Sequence, residues 1–186
     1  MSSAAPLELP DEAPTWDGVR LRPYRTRDVP MLRDLATDPY VPLIGTLPAR
    51  ATEDEALAYI QRQHDRLLTG TGYSFAVTLE ESDEAVGGAG LWLGGVEHGR
   101  ASAGYSIAPQ FRGHGLGGRA LIALTTFAWT LPEIHRVELF IEPWNAASIR
   151  TALKAGYSRE GLLRSHQEIG GTRVDMELFA ALRAGD

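Results

Sequence analysis

The sequence predicts a single mixed α/β domain, a mostly antiparallel sheet with one central βαβ unit, on three observations. Between Tyr73 and Ile107, three runs of period-two alternation are joined by short turns, which makes an antiparallel meander. A glycine-rich turn, GHGLGG from Gly113 to Gly118, then opens a helix with apolar residues at helical spacing. A further strand pattern, Val137–Ile141, follows that helix, and the order strand, helix, strand requires a crossover and hence a parallel pair. At 186 residues, 44% apolar and 23% charged, the chain is long enough for one such domain with a substantial core.

In chain order, residues 1–18 are rich in Ser, Ala, Pro and acids and read as a flexible N-terminal tail, leaving 19–186 as the domain. Val19–Pro23 alternates as a half-buried strand, and Asp28 is placed to cap a short helix with Pro30 in its first turn. The loop DPYVPLIGTLPAR follows, with three prolines and several apolar residues suited to lining a pocket. Thr52 with Glu55 forms a capping-box signature for a helix to about Leu68. Tyr73–Leu79, Val86–Leu93 and Ala101–Ile107 are the meander strands. The last has Ser102, Gly104 and Ser106 on one nearly bare face. A helix spans Leu116 to about Thr130. Asn145 caps the next, which ends at Lys154, Ala155 and the C′ glycine Gly156. Leu163–Arg173 reads as a polar loop and Val174–Ala180 as the last strand.

Composition narrows the chemistry. Without cysteine there is neither a disulfide framework nor a thiol nucleophile, and none of the five histidines has ligand spacing, so no metal is expected. No apolar run approaches the roughly 18 residues of a membrane span, and the N-terminus lacks signal-peptide regions, which favours a cytoplasmic protein with no membrane partner. The net charge of −6 argues against nucleic acid and for a cationic small molecule or peptide.

The glycine turn is the chemical centre. Gly113, Gly115, Gly117 and Gly118 let the backbone turn where a Cβ would clash, so that amide N–H groups converge at the start of a helix. The helix dipole adds to these donors, and a phosphate or pyrophosphate is the expected guest. Gly113-x-Gly115-x-x-Gly118 also satisfies the dinucleotide pattern, with Glu138 twenty residues later. That reading fits the context poorly, since a meander precedes the turn and Glu138 falls inside a strand. A P-loop fails outright, because Arg119 and Ala120 stand where Lys and Ser or Thr are required.

Gln110-x-x-Gly113-x-Gly115 resembles the acyl-CoA signature of the GNAT superfamily of N-acetyltransferases. VRLRPYRTRDVPML, GYSIAPQFRGHGLGGRAL and RVELFIEPWNAASIRTALKAGY occur in the order seen in its ribosomal-protein N-terminal (Rim-type) subgroup. The resemblance implies a mixed sheet with splayed central strands and helices on both faces. It implies acetyl-CoA as co-substrate and a primary amine, a protein N-terminus or a small molecule, as acceptor, in a monomer or homodimer. The cofactor would be held by Ile107, Gln110, Arg112, Gly113, His114, Gly115, Leu116, Gly117, Gly118, Arg119 and Asn145, with the pantetheine arm pairing with Ile107 as a surrogate strand.

For the chemistry, the resemblance implies that Asn145 contacts the cofactor and Ser148 serves the leaving sulfur, as the N-x-x-S of the subgroup. The tyrosine that many members carry seven residues after this asparagine is Ala152 here. The acid that often precedes the Gly104–Tyr105 pair by two places is Ser102, so Glu138 is the nearest carboxylate by motif, with Glu97, His98 and Glu142 as further candidates. Tyr40, Trp92 and Trp144 are expected to wall the acceptor cleft, and Tyr157 to pack in the core. Two rivals remain, a non-catalytic acetyl-CoA sensor on the same scaffold and a Rossmann-like NAD(P) oxidoreductase.

Overall fold

The computed structural model describes residues 5–185. Eight strands form one sheet, β1 (Thr15–Trp16), β2 (Val19–Arg22), β3 (Gly72–Leu79), β4 (Ala85–Gly95), β5 (Arg100–Ile107), β6 (Arg136–Ile141), β7 (Ser158–Ile169) and β8 (Thr172–Leu182). Their spatial order is β1-β2-β3-β4-β5-β6-β8-β7, and β5–β6 alone among these pairs is parallel. Five helices cover the sheet: α1 (Val29–Leu35), α2 (Val41–Ile44), α3 (Glu53–Leu68), α4 (Leu116–Ala128) and α5 (Ala146–Lys154).

Strand alternation sends side chains to two cores. Phe75, Val77, Leu91, Ala103, Val137 and Leu139 pack under α4 with Leu121 and Leu124, while Ala76 and Ala85 pack on the other face with Leu32, Leu35 and Ile60 of α1 and α3. Helices therefore lie on both faces, as expected. Tyr157 is buried in the first core, its hydroxyl 2.6 Å from Thr125 Oγ1.

The expected loop Leu163–Arg173 is corrected by the structure. It is most of β7, the Gly170–Gly171 turn and the start of β8, one long hairpin. SREGLLRSHQEI lacks alternation because β7 is an edge strand exposed for most of its length and broken by irregularities at Arg159/Gly161 and Leu163/Gln167. Asp28 is a second correction: its carboxylate makes no cap bond to α1 but takes both arms of Arg22 at 2.8 Å and the Arg25 N–H at 2.8 Å. The Thr52–Glu55 capping box forms as expected. In the segment read as a tail, Thr15–Trp16 pairs with β2 and the Leu7 N–H donates to Leu67 O at 2.9 Å.

Candidate active site

The parallel pair β5–β6 is short. Its register runs only from Arg100↔Arg136 to Ser102↔Glu138, although β5 continues to Ile107 and β6 to Ile141, so the two strands splay. The Ala108 N–H bonds to Val86 O on β4. By alternation, the main-chain groups of Tyr105 and Ile107 face the opening instead.

At the wide end of the splay, a 3-10 turn at Pro109–Phe111 leads through Arg112 into the glycine turn. Gly113 and Gly115 adopt φ of +84° and +75°, with nothing within 4 Å of the Cβ either lacks. Their role is a left-handed backbone, not relief of a clash with the protein. The first backbone bonds of α4 are Gly118 N–H to Gly115 O at 3.1 Å and Arg119 N–H to the same oxygen at 3.3 Å. Among the described residues no acceptor meets the amides of Gly113, His114, Gly115, Leu116 and Gly117. A run of unpaired donors at the head of a 13-residue helix is an anion cradle. Gly117 answers a different demand: an added Cβ there would stand 2.8 Å from Tyr105 Cε2.

The other expected cofactor residues are placed as follows. Arg112 reaches back, its Nε donating to Ile107 O at 2.8 Å and its Nη1 lying 2.6 Å from Asp38 Oδ2. The Ile107 carbonyl is thus engaged by the chain's own guanidinium, and the N–H remains directed at the splay. Arg119 is paired with Asp17 at 2.9 Å, the Gln110 N–H points to Asp34 Oδ2, and the His114 ring meets Phe111 O. Asn145 caps α5 by accepting the Ser148 N–H at 3.1 Å, so any cofactor contact falls to its Nδ2. Ser148 Oγ lies 3.1 Å from Tyr105 Oη.

Glu138 sits beside Ser102 in register, across the sheet from Ser148 and α4, and its carboxylate is held by Arg136 Nε at 2.7 Å. On that same face the nearly bare surface expected at Gly104 is roofed. The Trp92 indole lies over Gly90 and Gly104, with Cζ3 2.9 Å from where a Gly104 Cβ would be and the Arg66 guanidinium 5.4 Å above the ring. Tyr40 and Trp144 meet edge to face at 5.0 Å, and Tyr40 stands beside Glu142, a buried carboxylate just past the end of β6. Burial, then the Glu142 charge, pushes the Tyr40 hydroxyl well above the ordinary tyrosine range. Leu43 of α2 approaches Gly170 in the β7–β8 turn, closing the rim.

Sequence reasoning missed Tyr105 and Asp38. Tyr105 reads as one more core residue in an alternating strand, and Asp38 as a loop breaker before Pro39. Asp38 before Pro39 is a local signal for an Asx turn, which its Oδ1 makes with the Tyr40 and Val41 N–H groups, whereas nothing local links Tyr105 to α5.

Among the described residues no cluster of His, Cys, Asp and Glu is arranged to hold a metal ion, and no helix is long and apolar enough to cross a membrane.

A family model described as the acetyltransferase (GNAT) domain matches residues 19–158. The chain is 28% identical over 163 residues to an uncharacterized N-acetyltransferase, p20, of Bacillus licheniformis, covering 88% of this chain and 92% of that protein. It is similar to the solved structure of Mycobacterium smegmatis RimJ in complex with a CoA disulfide, with 25% identity, a TM-score of 0.76, and 88% and 81% of the two chains covered. The self-immunity acetyltransferase MccE, solved with acetyl-CoA and AMP, shares the fold at 18% identity and a TM-score of 0.77, with 90% and 93% covered.

Proposed function

This chain belongs to the GNAT acetyltransferase family, and on that footing we propose that it passes acetyl from acetyl-CoA directly to a primary amine, a peptide N-terminus or a small molecule, within a ternary complex. The observation that carries the cofactor half is the run of unpaired amides from Gly113 to Gly117 at the head of α4, beside strands that splay. The pyrophosphate meets those amides, and the pantetheine arm lies in the opening along Tyr105 and Ile107 as an added strand. Arg112 and Arg119 supply positive charge at the rim, and Asn145 Nδ2 reaches the arm. The amine enters from the opposite face, past Trp92, Tyr40 and Trp144.

The reaction needs a neutral amine, a route for its proton and a stabilised leaving thiolate. Ser148 serves the sulfur. Glu138, tied to Arg136, is poorly placed to act as a strong base, and Ser102 is none. The acceptor therefore arrives largely able to react unaided. At neutral pH an α-amine with pKa of about 7.7–8.0 is roughly a tenth neutral, whereas a lysine near about 10.4 is neutral to less than one part in a thousand. This favours peptide N-termini and low-pKa small amines over lysine side chains, in a cytoplasmic setting where acetyl-CoA is supplied.

The test is a thermal-shift comparison of acetyl-CoA, CoA and NAD(P), followed by thiol release with free-N-terminal peptides, small amines, and N-terminally blocked lysine peptides. Stabilisation by CoA species and turnover on the first two groups are expected. Stabilisation by NAD(P) alone, or CoA binding without thiol release on any amine, overturns the reading.

A further inference from the structure

The contact between Tyr105 and Ser148 joins β5 to the first turn of α5. Tyr105 belongs to the half of β5 that has left β6, so its main chain faces the opening while its ring crosses toward α4. The ring is seated against Gly117, where a Cβ would come within 2.8 Å of Cε2 and 3.2 Å of Cδ2, so only glycine at 117 admits it. Its hydroxyl ends 3.1 Å from Ser148 Oγ, while the Ser148 N–H is fixed by Asn145. Both bonds hold the serine in place, one by the main chain and one by the side chain.

The position one helical turn beyond Ser148 is the fully buried Ala152, which brings no hydroxyl to the serine. The phenol beside Ser148 comes from the strand. Resting on the acetyltransferase reading, we propose that Tyr105 is the positioning residue for Ser148: it donates its hydrogen bond to Ser148 Oγ, which directs the serine proton at the departing sulfur.

The chemistry explains why a lone serine is insufficient. A thiol ionises near about 8.5 and a phenol near about 10, while an aliphatic alcohol lies far above both and is a poor net proton donor to a thiolate. As the C–S bond breaks, its electron pair stays on sulfur. The serine proton passes to sulfur and the phenol proton moves to Ser148 Oγ. The proton lost by the amine nitrogen on becoming an amide enters solvent, and solvent restores the phenol, so the products are the amide and free CoA thiol.

Tyr105→Phe keeps the ring against Gly117 and removes only the hydroxyl. Expected are an unchanged melting temperature, CoA affinity and acetyl-CoA KM within about twofold, and kcat lowered roughly tenfold or more. In a Ser148→Ala background the same change is expected to alter kcat less than about twofold, because the two groups act as one unit. Wild-type kcat in Tyr105→Phe, losses that multiply in the double variant, or a loss confined to melting temperature or cofactor affinity each overturn the inference while leaving the acetyltransferase reading intact. A wild-type protein that binds acetyl-CoA but acylates no amine overturns both.

Discussion

Arg112 Nη1 lies 2.6 Å from Asp38 Oδ2, and the same guanidinium donates through Nε to Ile107 O at 2.8 Å. The other oxygen of Asp38 accepts the N–H groups of Tyr40 at 2.7 Å and Val41 at 2.9 Å, so it starts α2. One carboxylate thus joins the loop ahead of α2 to the end of β5. Arg112 is half exposed, which limits the ion pair itself to under about 1 kcal/mol, and loss of the acceptor for the Tyr40 and Val41 N–H groups costs about 1 kcal/mol. Asp38→Ala is expected to destabilise by about 1–2 kcal/mol in urea unfolding. It is also expected to raise the amine KM severalfold with a smaller change for acetyl-CoA; an unchanged amine KM would detach α2 from the acceptor site.

Gly115 separates strain from charge. At φ +75° any Cβ costs about 1–2 kcal/mol, yet none of the protein's own atoms lies within 4 Å to obstruct it. Gly115→Ala is expected to lower stability by that amount. Gly115→Asp is expected to match it in stability but lose CoA affinity at least tenfold more, since it sets a carboxylate against the proposed diphosphate site. Equal CoA affinity in the two variants would place the anion elsewhere.

The Arg22–Asp28 pair makes a separate stability prediction. Both side chains are at most 4% exposed and share two 2.8 Å bonds, with Arg22 also bound to Asp83 at 2.7 Å. Asp28→Ala takes the two-bond partner from a buried guanidinium and leaves Asp83 as its remaining carboxylate, so it is expected to cost about 1.5–3 kcal/mol, measured by chemical unfolding. Replacing Arg22 and Asp28 together with apolar residues is expected to recover most of that loss. A double variant no better than Asp28→Ala would mean that Asp28 acts chiefly through the Arg25 N–H.

The pH limits of stability follow from named groups. The Arg22 hydrogen bond holds Asp83 below the ordinary carboxylate range. For Asp38, burial alone would raise the value, but the Val41 N–H, Arg112 and the Tyr40 N–H together lower it. Folded values below the unfolded ones mean a stabilisation whole above about pH 4 and lost as pH falls through the folded values. Burial moves the Tyr24 and Tyr157 hydroxyls the other way, above the ordinary tyrosine range. Their contribution is whole below about pH 10 and lost as pH rises beyond it. Melting temperatures are expected to fall on both sides of this window, and Tyr157→Phe to flatten the alkaline limb; an unaltered limb would exclude Tyr157 as its source.

The sequence by itself determined the local elements, the glycine turn among them. The β3–β4–β5 meander, the capped α3, the α4 and α5 boundaries and the glycine turn are written in short-range chemistry. Alternation, Thr52–Glu55, Asn145 and left-handed glycines each act within a few residues. Tertiary structure alone decided what depended on distant partners. β7 exists because β8 supplies its hydrogen bonds, with Arg159 paired to Glu177, not because its own residues alternate. Asp28 abandons its helix because Arg22 is buried beside it, and Gly104 makes room for Trp92. Tyr105 meets Ser148 across 43 positions of chain only because β5 parts from β6 and α5 folds back over the gap. Such contacts depend on where packing carries each side chain in space, which no pattern of neighbouring residues encodes.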